Sequence, residues 1–173
     1  MSMFDNIDVN KVKSIMSRVE NNAKVIDDVV TGIIHPYCKD LDRYVEFVSR
    51  CLKDGENPPT TTELEDFCMN LSALIYFASG MCENLGVRDD ISKALWKESY
   101  NNARDEQKGT VADKNSQAEL MSQQEQLTNI CFNRAYKTMK AKVDAAQELL
   151  SSAKKVLTHR MNEENLTHLM GGE

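Results

Sequence analysis

The sequence of 173 residues has few aromatic residues (6%), three prolines and seven glycines. Few aromatic side chains argue against an enzyme pocket, because small-molecule sites are lined mainly by apolar and aromatic groups. Few helix breakers favour long helices, and no strand-like alternation extends beyond four residues. The sequence therefore predicts an all-α fold, a helical bundle with one long, coiled-coil-like amphipathic helix at the C-terminal end.

Signatures of catalysis are also lacking, since the sequence has no P-loop, no dinucleotide-binding glycine pattern, no serine nucleophile elbow and no H-E-x-x-H. His35 and Cys38 are one i, i+3 pair that a metal could use, but such a pair arises more often by chance. A metal-dependent enzyme on a helical bundle would need inward-facing Glu and His ligands, and the apolar stripes contain no such set. We predict that the protein is not an enzyme and has no metal or cofactor.

The five cysteines are an odd number and include no C-x-x-C pair, which argues against a disulfide framework or a zinc site. We expect reduced thiols that pack as small apolar groups. No apolar run is long enough to cross a membrane, and the N-terminal residues MSMFDNID lack the basic and apolar regions of a signal peptide. These features predict a cytoplasmic protein that does not contact membranes.

Capping and turn residues divide the first two thirds of the chain into four predicted helices. We expect residues 1–86 to form an N-terminal helical bundle and residues 87–173 a long-helix region, packed together as one domain. In chain order, the predicted helices run from Asn6 or Asp8 to Thr31, from Pro36 to Gly55, from Thr61 or Thr62 to Gly86, and from Asp89 or Asp90 to Lys108, where Gly109 is a C-cap.

Residues 115–163 contain neither glycine nor proline and predict one long helix, which Thr110 and Asp113 could introduce as a capping box. Its apolar residues recur at steps of three, four or seven, as in the seam of a coiled coil or of a long bundle helix. Most of its basic residues lie on the opposite side, and only Lys142 and Arg160 lie near the apolar side. One side of this helix is therefore suited to protein contacts, and the other to an anion.

The net charge of −6 conceals an uneven distribution. Residues 134–160 contain seven Lys or Arg but only Asp144 and Glu148 as acids, a local charge of +5, so the remainder carries −11. Such a stripe can neutralise phosphates, although a solvated helix face is the more common explanation. Self-association would bring several weak stripes together and strengthen their combined binding.

Residues 108–161, with the runs KGTVADKNSQAE and NRAYKTMKAKVDAAQELLSSAKKVLTHRM, resemble bacteriophage recombination mediators of the UvsY-like kind. Proteins of that family are small, helical and oligomeric, bind single-stranded DNA and help to load a RecA-like recombinase on DNA covered by single-strand-binding protein. The resemblance implies the same partners for this chain, in the cytoplasm of a host cell. It assigns phosphate contacts to Arg134, Lys137, Lys140, Lys154, Lys155 and Arg160, and packing between subunits to Leu127, Val143, Leu150 and Leu157.

The N-terminal half has no such resemblance. Its acidic character favours contact with the recombinase or with the single-strand-binding protein. The alternative to a recombination mediator is a non-catalytic helical interaction module of a phage, such as an assembly, adaptor or inhibitor protein. That alternative explains the helices equally well, but it does not require the concentration of basic residues in one interval.

Overall fold

Four α-helices make up nearly all of the computed structural model, which describes residues 8–170 and the side chains of residues 8–167. The helices are α1 (Val9–Lys53), α2 (Thr61–Glu106), α3 (Val111–Met121) and α4 (Gln123–Met170). No strand occurs among the described residues, so the predicted helical bundle is confirmed.

The helices form an antiparallel bundle in which α4 packs against both α1 and α2. At one end, Thr61 at the start of α2 donates its hydroxyl hydrogen to Glu164 near the end of α4. Further along, the amide nitrogens of Asn129 and Asn133 on α4 donate to Asp89 on α2. Later residues of α2 thus contact earlier residues of α4, so these two helices are antiparallel. The short loop after α1 makes α1 antiparallel to α2 and therefore parallel to α4.

The main core lies where three helices meet, in what we term the closed half: residues 30–53, 61–86 and 133–157. Large apolar side chains fill it, and Ala135, Ala146 and Ala153 of α4 allow close helix approach. The largest of its fully enclosed side chains are Val48, Leu64, Leu71, Leu85 and Met139.

The open half comprises residues 87–132, where α2 pairs with α3 and the start of α4 in a two-helix hairpin. Its buried residues are all small: Ser92, Ala103, Ala118 and Ser122. Two helices can cover small side chains between them, but they leave larger ones at the edges of the contact. Eight large apolar residues of this half are accordingly exposed: Val87, Ile91, Leu95, Val111, Leu120, Met121, Leu127 and Ile130.

Residues 9–25 of α1, which we term the arm, extend beyond the core, and every residue of the arm is exposed. Asp8 caps its start, since Oδ1 accepts hydrogen bonds from the backbone nitrogens of Asn10 (2.9 Å) and Lys11 (3.2 Å). This confirms Asp8 as the predicted cap, and the alternative cap, Asn6, lies outside the described residues.

The predicted break at Gly32 and Pro36 is wrong, because α1 continues through both residues. Proline inside a helix removes one hydrogen bond and costs about 3 kcal/mol. Ile34 and Cys38 on either side of it are buried in the core, and their packing offsets that cost.

The predicted helix end at Gly86 and the new start at Asp89 or Asp90 are also wrong, because α2 runs through these residues. A Cβ atom at position 86 would lie 3.3 Å from Cε2 of Tyr136. Gly86 therefore allows α4 to approach α2 closely, and the predicted division between residues 86 and 87 falls inside a continuous helix.

The predicted helix over residues 115–163 is interrupted once, at Ser122, so a long C-terminal helix is confirmed only from Gln123 onward. Ser122 is buried, its ψ angle is 14°, and its hydroxyl donates to the carbonyl of Ala118 over 2.8 Å. A serine hydroxyl bound to the preceding turn competes with regular helix bonding and bends a helix.

Two capping boxes begin α2 and α3. Thr60 with Glu63 caps α2, one residue before the predicted Thr61. Thr110 with Asp113 caps α3, as predicted. The loop of residues 54–60 contains the predicted GENPP break. The predicted C-cap at Gly109 is wrong, because α2 ends at Glu106 with Gln107 as its cap, and Gly109, whose φ is 133°, lies in the loop before α3.

Candidate nucleic-acid interface

The six basic residues assigned to phosphate contacts all lie on α4. Five of them are exposed, and Arg160 is half-buried. Within residues 8–167, none of the six has a carboxylate oxygen within 4.0 Å of its charged nitrogens. Their charges are thus not neutralised by ion pairs in the described part of the chain and can bind an anion. The six are Arg134, Lys137, Lys140, Lys154, Lys155 and Arg160.

Lys142, on the same helix, differs from these six residues because it forms an ion pair. Its Nζ lies 2.7 Å and 2.8 Å from the two carboxylate oxygens of Asp42 on α1, and both side chains are partly covered. Burial, followed by the neighbouring Asp42 carboxylate, raises the pKa of the Cys38 thiol beside this pair. This ion pair therefore joins α1 to α4, and Asp42 already neutralises the charge of Lys142.

The basic residues do not form one uninterrupted surface. Arg134, Lys137 and Lys140 are one group, and Lys154 with Lys155 is a second group about 21 Å further along at 1.5 Å per residue. Between them, Asp144 and Glu148 line the outward side of α4 in a shallow depression that also includes Lys155. These two acids weaken the field between the groups, so an anion would bind mainly at the two ends of the stripe.

Arg160 lies on a different side of α4 from the other five basic residues. It follows Lys142 by 18 residues, five helical turns, and so lies on the same side of α4, toward α1. Because α1 ends at Lys53, Arg160 lies beyond the end of α1. We expect it to contact an anion from a different side than Lys155.

Three of the four residues assigned to packing between subunits contact their own chain. Val143 is buried in the core, and Leu150 and Leu157 are partly buried against it. Val143 cannot reach a second subunit unless the bundle opens. Leu127 in the open half is 48% exposed and remains available to a second subunit. The role of these residues in oligomerisation stays a prediction.

A polar network between α2 and α4 was not foreseen from the sequence. Asn133 donates to Asp89 Oδ2 over 2.8 Å, and Asn129 donates to Asp89 Oδ1 over 3.2 Å and to Ser92 Oγ over 3.1 Å. Shifting one helix along the other would leave these partly buried groups unpaired, at a cost of about 1–3 kcal/mol each. The network therefore fixes the register of the hairpin. In the sequence, the only indication of this network is the spacing of Asn129 and Asn133 by four residues, which places both on one side of a helix.

The five cysteines are free. Burial raises the pKa of the Cys68 and Cys82 thiols, as it does for Cys38. All three lie in the apolar core, as expected for cysteines that act as small apolar side chains.

Within the described residues, no helix combines the length and apolar character that a membrane crossing requires. The same residues contain no cluster of three or more His, Cys, Asp or Glu side chains arranged to hold a metal ion.

Comparisons with protein-family models, with curated proteins and with solved structures found no match for this chain. The likeness to recombination mediators therefore rests on the sequence runs of α3 and α4 alone.

Proposed function

We propose that this protein is a single-stranded-DNA-binding recombination mediator of a phage, which helps to load a RecA-like recombinase on DNA covered by single-strand-binding protein. It would act without catalysis, as a homo-oligomer, in the cytoplasm of the host cell. The proposal combines the resemblance of residues 108–161 with the charge of α4.

The observation that carries the proposal is that, within residues 8–167, the six basic residues of α4 form no ion pair, whereas Lys142 is paired. The release of counterions from phosphates drives sequence-independent binding to nucleic acid. It requires Lys or Arg side chains whose charge is not already neutralised by a carboxylate. Aromatic stacking would add little, because α4 offers only the half-buried Phe132 and Tyr136 near the first basic group. Binding should therefore be weak for one chain, strongly dependent on salt and strengthened by oligomerisation.

The protein partners would bind elsewhere on the molecule. Outside residues 134–160 the chain carries a net charge of −11, which does not favour contact with DNA. Such a surface is suited to basic patches on a recombinase or on a single-strand-binding protein.

The test is fluorescence anisotropy of a labelled single-stranded oligonucleotide, titrated with the full chain at low and at moderate salt. We expect binding that weakens steeply with salt and exceeds binding to a duplex. Replacing Lys154 and Lys155 by Gln should lower the affinity and reduce the salt slope by about 1.4, since each single-strand phosphate contact contributes about 0.7.

The matched control replaces Lys93 and Lys97 by Gln, which removes the same charge from exposed positions on α2 in the open half. This control should leave the salt slope nearly unchanged. Equal effects of the two double variants would show that only overall charge matters. Absence of binding at low salt would contradict the DNA-binding proposal.

The alternative function, a helical interaction module without nucleic acid, is favoured by a different observation. The exposed apolar residues of the arm and of the open half are more extensive than a solitary bundle needs. If the oligonucleotide does not bind, these surfaces become the primary functional surfaces of the protein.

A further inference from the structure

Among the described residues, two apolar surfaces on different parts of the chain are left uncovered. The first is a stripe on the arm, and the second is a groove in the open half. We propose that the arm of one chain docks in the groove of a second copy. The proposal deepens the oligomerisation that is part of the proposed function, but it does not require DNA binding.

The stripe of the arm continues the buried side of α1. Val12, Met16, Val19, Ala23 and Ile26 lead to the buried Val30 at steps of three or four. Within α1, the same side of the helix is thus buried at Val30, half-buried at Ile26, and exposed from Val12 to Ala23. Val12, Met16 and Val19 are 42%, 56% and 61% exposed. A helix with such a stripe is suited to a helical groove.

The groove lies between α2 and the region where α3 passes into α4. Two adjoining depressions of about 330 Å³ and 500 Å³ share Leu95 and Glu125. Ile91, Leu95, Phe132 and Met121 supply apolar surface. From Arg88 to Glu106 the groove extends about 27 Å along α2, and the arm of 17 residues is about 25 Å long at 1.5 Å per residue.

Charge complementarity identifies the arm as the occupant. Residues 9–25 contain four basic residues and one acid, for a net charge of +3. The charged lining of the groove is Arg88 with Glu98, Glu106 and Glu125, for a net charge of −2. Opposite charges beside matching apolar surfaces favour association of these two elements.

Glu125 gives an independent indication. Its Oε2 atom is buried and, within the described part of the chain, has no hydrogen-bond partner. A buried polar atom without a partner is unfavourable. Glu125 lines both depressions, so a Lys or Arg side chain of a docked arm would meet its carboxylate and supply a donor once the carboxylate turns toward the groove.

The chain's own arm is a poor occupant of its groove. Helix α1 is continuous from Val9 to Lys53, and Pro36 is the residue in it that removes a helical hydrogen bond. A hinge at Pro36 would withdraw Val30 and Ile34 from the core, where both are buried. A second copy meets the groove without this loss, and reciprocal docking of two arms gives a closed dimer.

The test measures the mass of the full chain by light scattering, without DNA, over a range of concentrations. The wild type should have at least twice the mass of one chain. Val19→Asp in the arm and Leu95→Asp in the groove should each raise the dissociation constant at least tenfold and yield monomers. Both residues are more than half exposed in the single chain, so both variants should keep their helical circular dichroism.

Matched controls separate these contacts from general effects of a new charge. Val25→Asp places the same substitution on the arm but off the stripe, and Met69→Asp places a charge on an exposed part of α2 in the closed half. Val25 and Met69 are 63% and 69% exposed. Both control variants should retain the wild-type mass.

Mixing the two interface variants tests which surfaces meet. The intact arm of the Leu95→Asp chain can dock in the intact groove of the Val19→Asp chain, so an equimolar mixture should form dimers although each variant alone is monomeric. A monomeric wild type would overturn the proposal. So would a Leu95→Asp variant that remains dimeric, which indicates pairing between arms, or a mixture that remains monomeric. Loss of DNA binding without loss of the dimer would affect only the proposed function.

Discussion

The closed and open halves of the bundle use the same helices, α2 and α4, but cover their apolar surfaces differently. In the closed half, α1 is a third helix, and large residues such as Leu71 and Met139 are fully enclosed. In the open half the third helix is missing, and only alanine and serine are buried between α2 and the α3–α4 region. Burial in this protein therefore depends on the number of helices present, and the open half is the part that lacks one.

The largest expected contrast concerns stability. Leu71→Ala in the closed half should lower the free energy of unfolding by about 2–5 kcal/mol, because it removes buried methyl groups and leaves a cavity. Leu120→Ala in the open half should change it by less than about 0.5 kcal/mol, since Leu120 is 69% exposed. Urea denaturation followed by circular dichroism measures both. Comparable losses would mean that the open half is packed as tightly as the closed half.

The junction of the two halves provides a smaller contrast between two glycines of α2. Gly80→Ala should stabilise the protein by up to about 1 kcal/mol, because a Cβ atom at position 80 meets nothing within 4 Å and alanine favours the helix. Gly86→Ala should lose this gain or become destabilising, since its Cβ atom would press on the ring of Tyr136 at 3.3 Å.

Thermal unfolding of the two glycine variants beside the wild type gives the measurement. An equal gain at both positions would show that Tyr136 moves freely, and that α2 and α4 do not depend on close approach at this junction.

The smallest expected effect concerns the caps that begin α2 and α3, one in each half. Hydrogen bonds from the Thr60 backbone and hydroxyl lower the pKa of Glu63 below its ordinary value of 4.5. Its charged form thus stabilises the folded state fully above pH 4.5, and this contribution is lost as the pH falls through the lowered pKa. Glu63→Gln should therefore differ from the wild type near neutral pH but not in strong acid.

Stability measured from neutral pH down to about pH 2 tests the effect of the cap. Asp113→Asn is the corresponding variant in the open half, because hydrogen bonds from Thr110 lower the pKa of Asp113. A constant difference between Glu63→Gln and the wild type at all pH values would show that the charge of Glu63 does not contribute.

Local features of the chain were predictable because they depend on neighbouring residues. The all-α class follows from apolar spacing, and the Asp8 cap and the Thr110–Asp113 capping box follow from side chains that bind backbone groups two or three residues away. The basic residues of α4 were also evident from the sequence. The structure adds that the six assigned to phosphate contacts form no ion pair with the other described residues, and that Asp144 and Glu148 lie between their two groups.

Other features depended on contacts between distant residues. Pro36 and Gly86 have the local character of helix breakers, yet packing against other helices keeps both inside α1 and α2. Whether Val143 faces its own chain or another subunit cannot be read from a repeat of apolar residues, because both arrangements need the same spacing.

The sequence by itself thus determined that the chain is helical, that loops precede α2 and α3, and where its positive charge is concentrated, since these properties are encoded within a few consecutive residues. Only the tertiary structure decided which apolar stripes are covered. The apolar residues of the arm and those of the core belong to one continuous stripe on α1. The two parts differ only because α2 and α4 cover the stripe from Ile26 onward. Burial requires a partner surface, and the spacing of residues along one helix does not specify that surface.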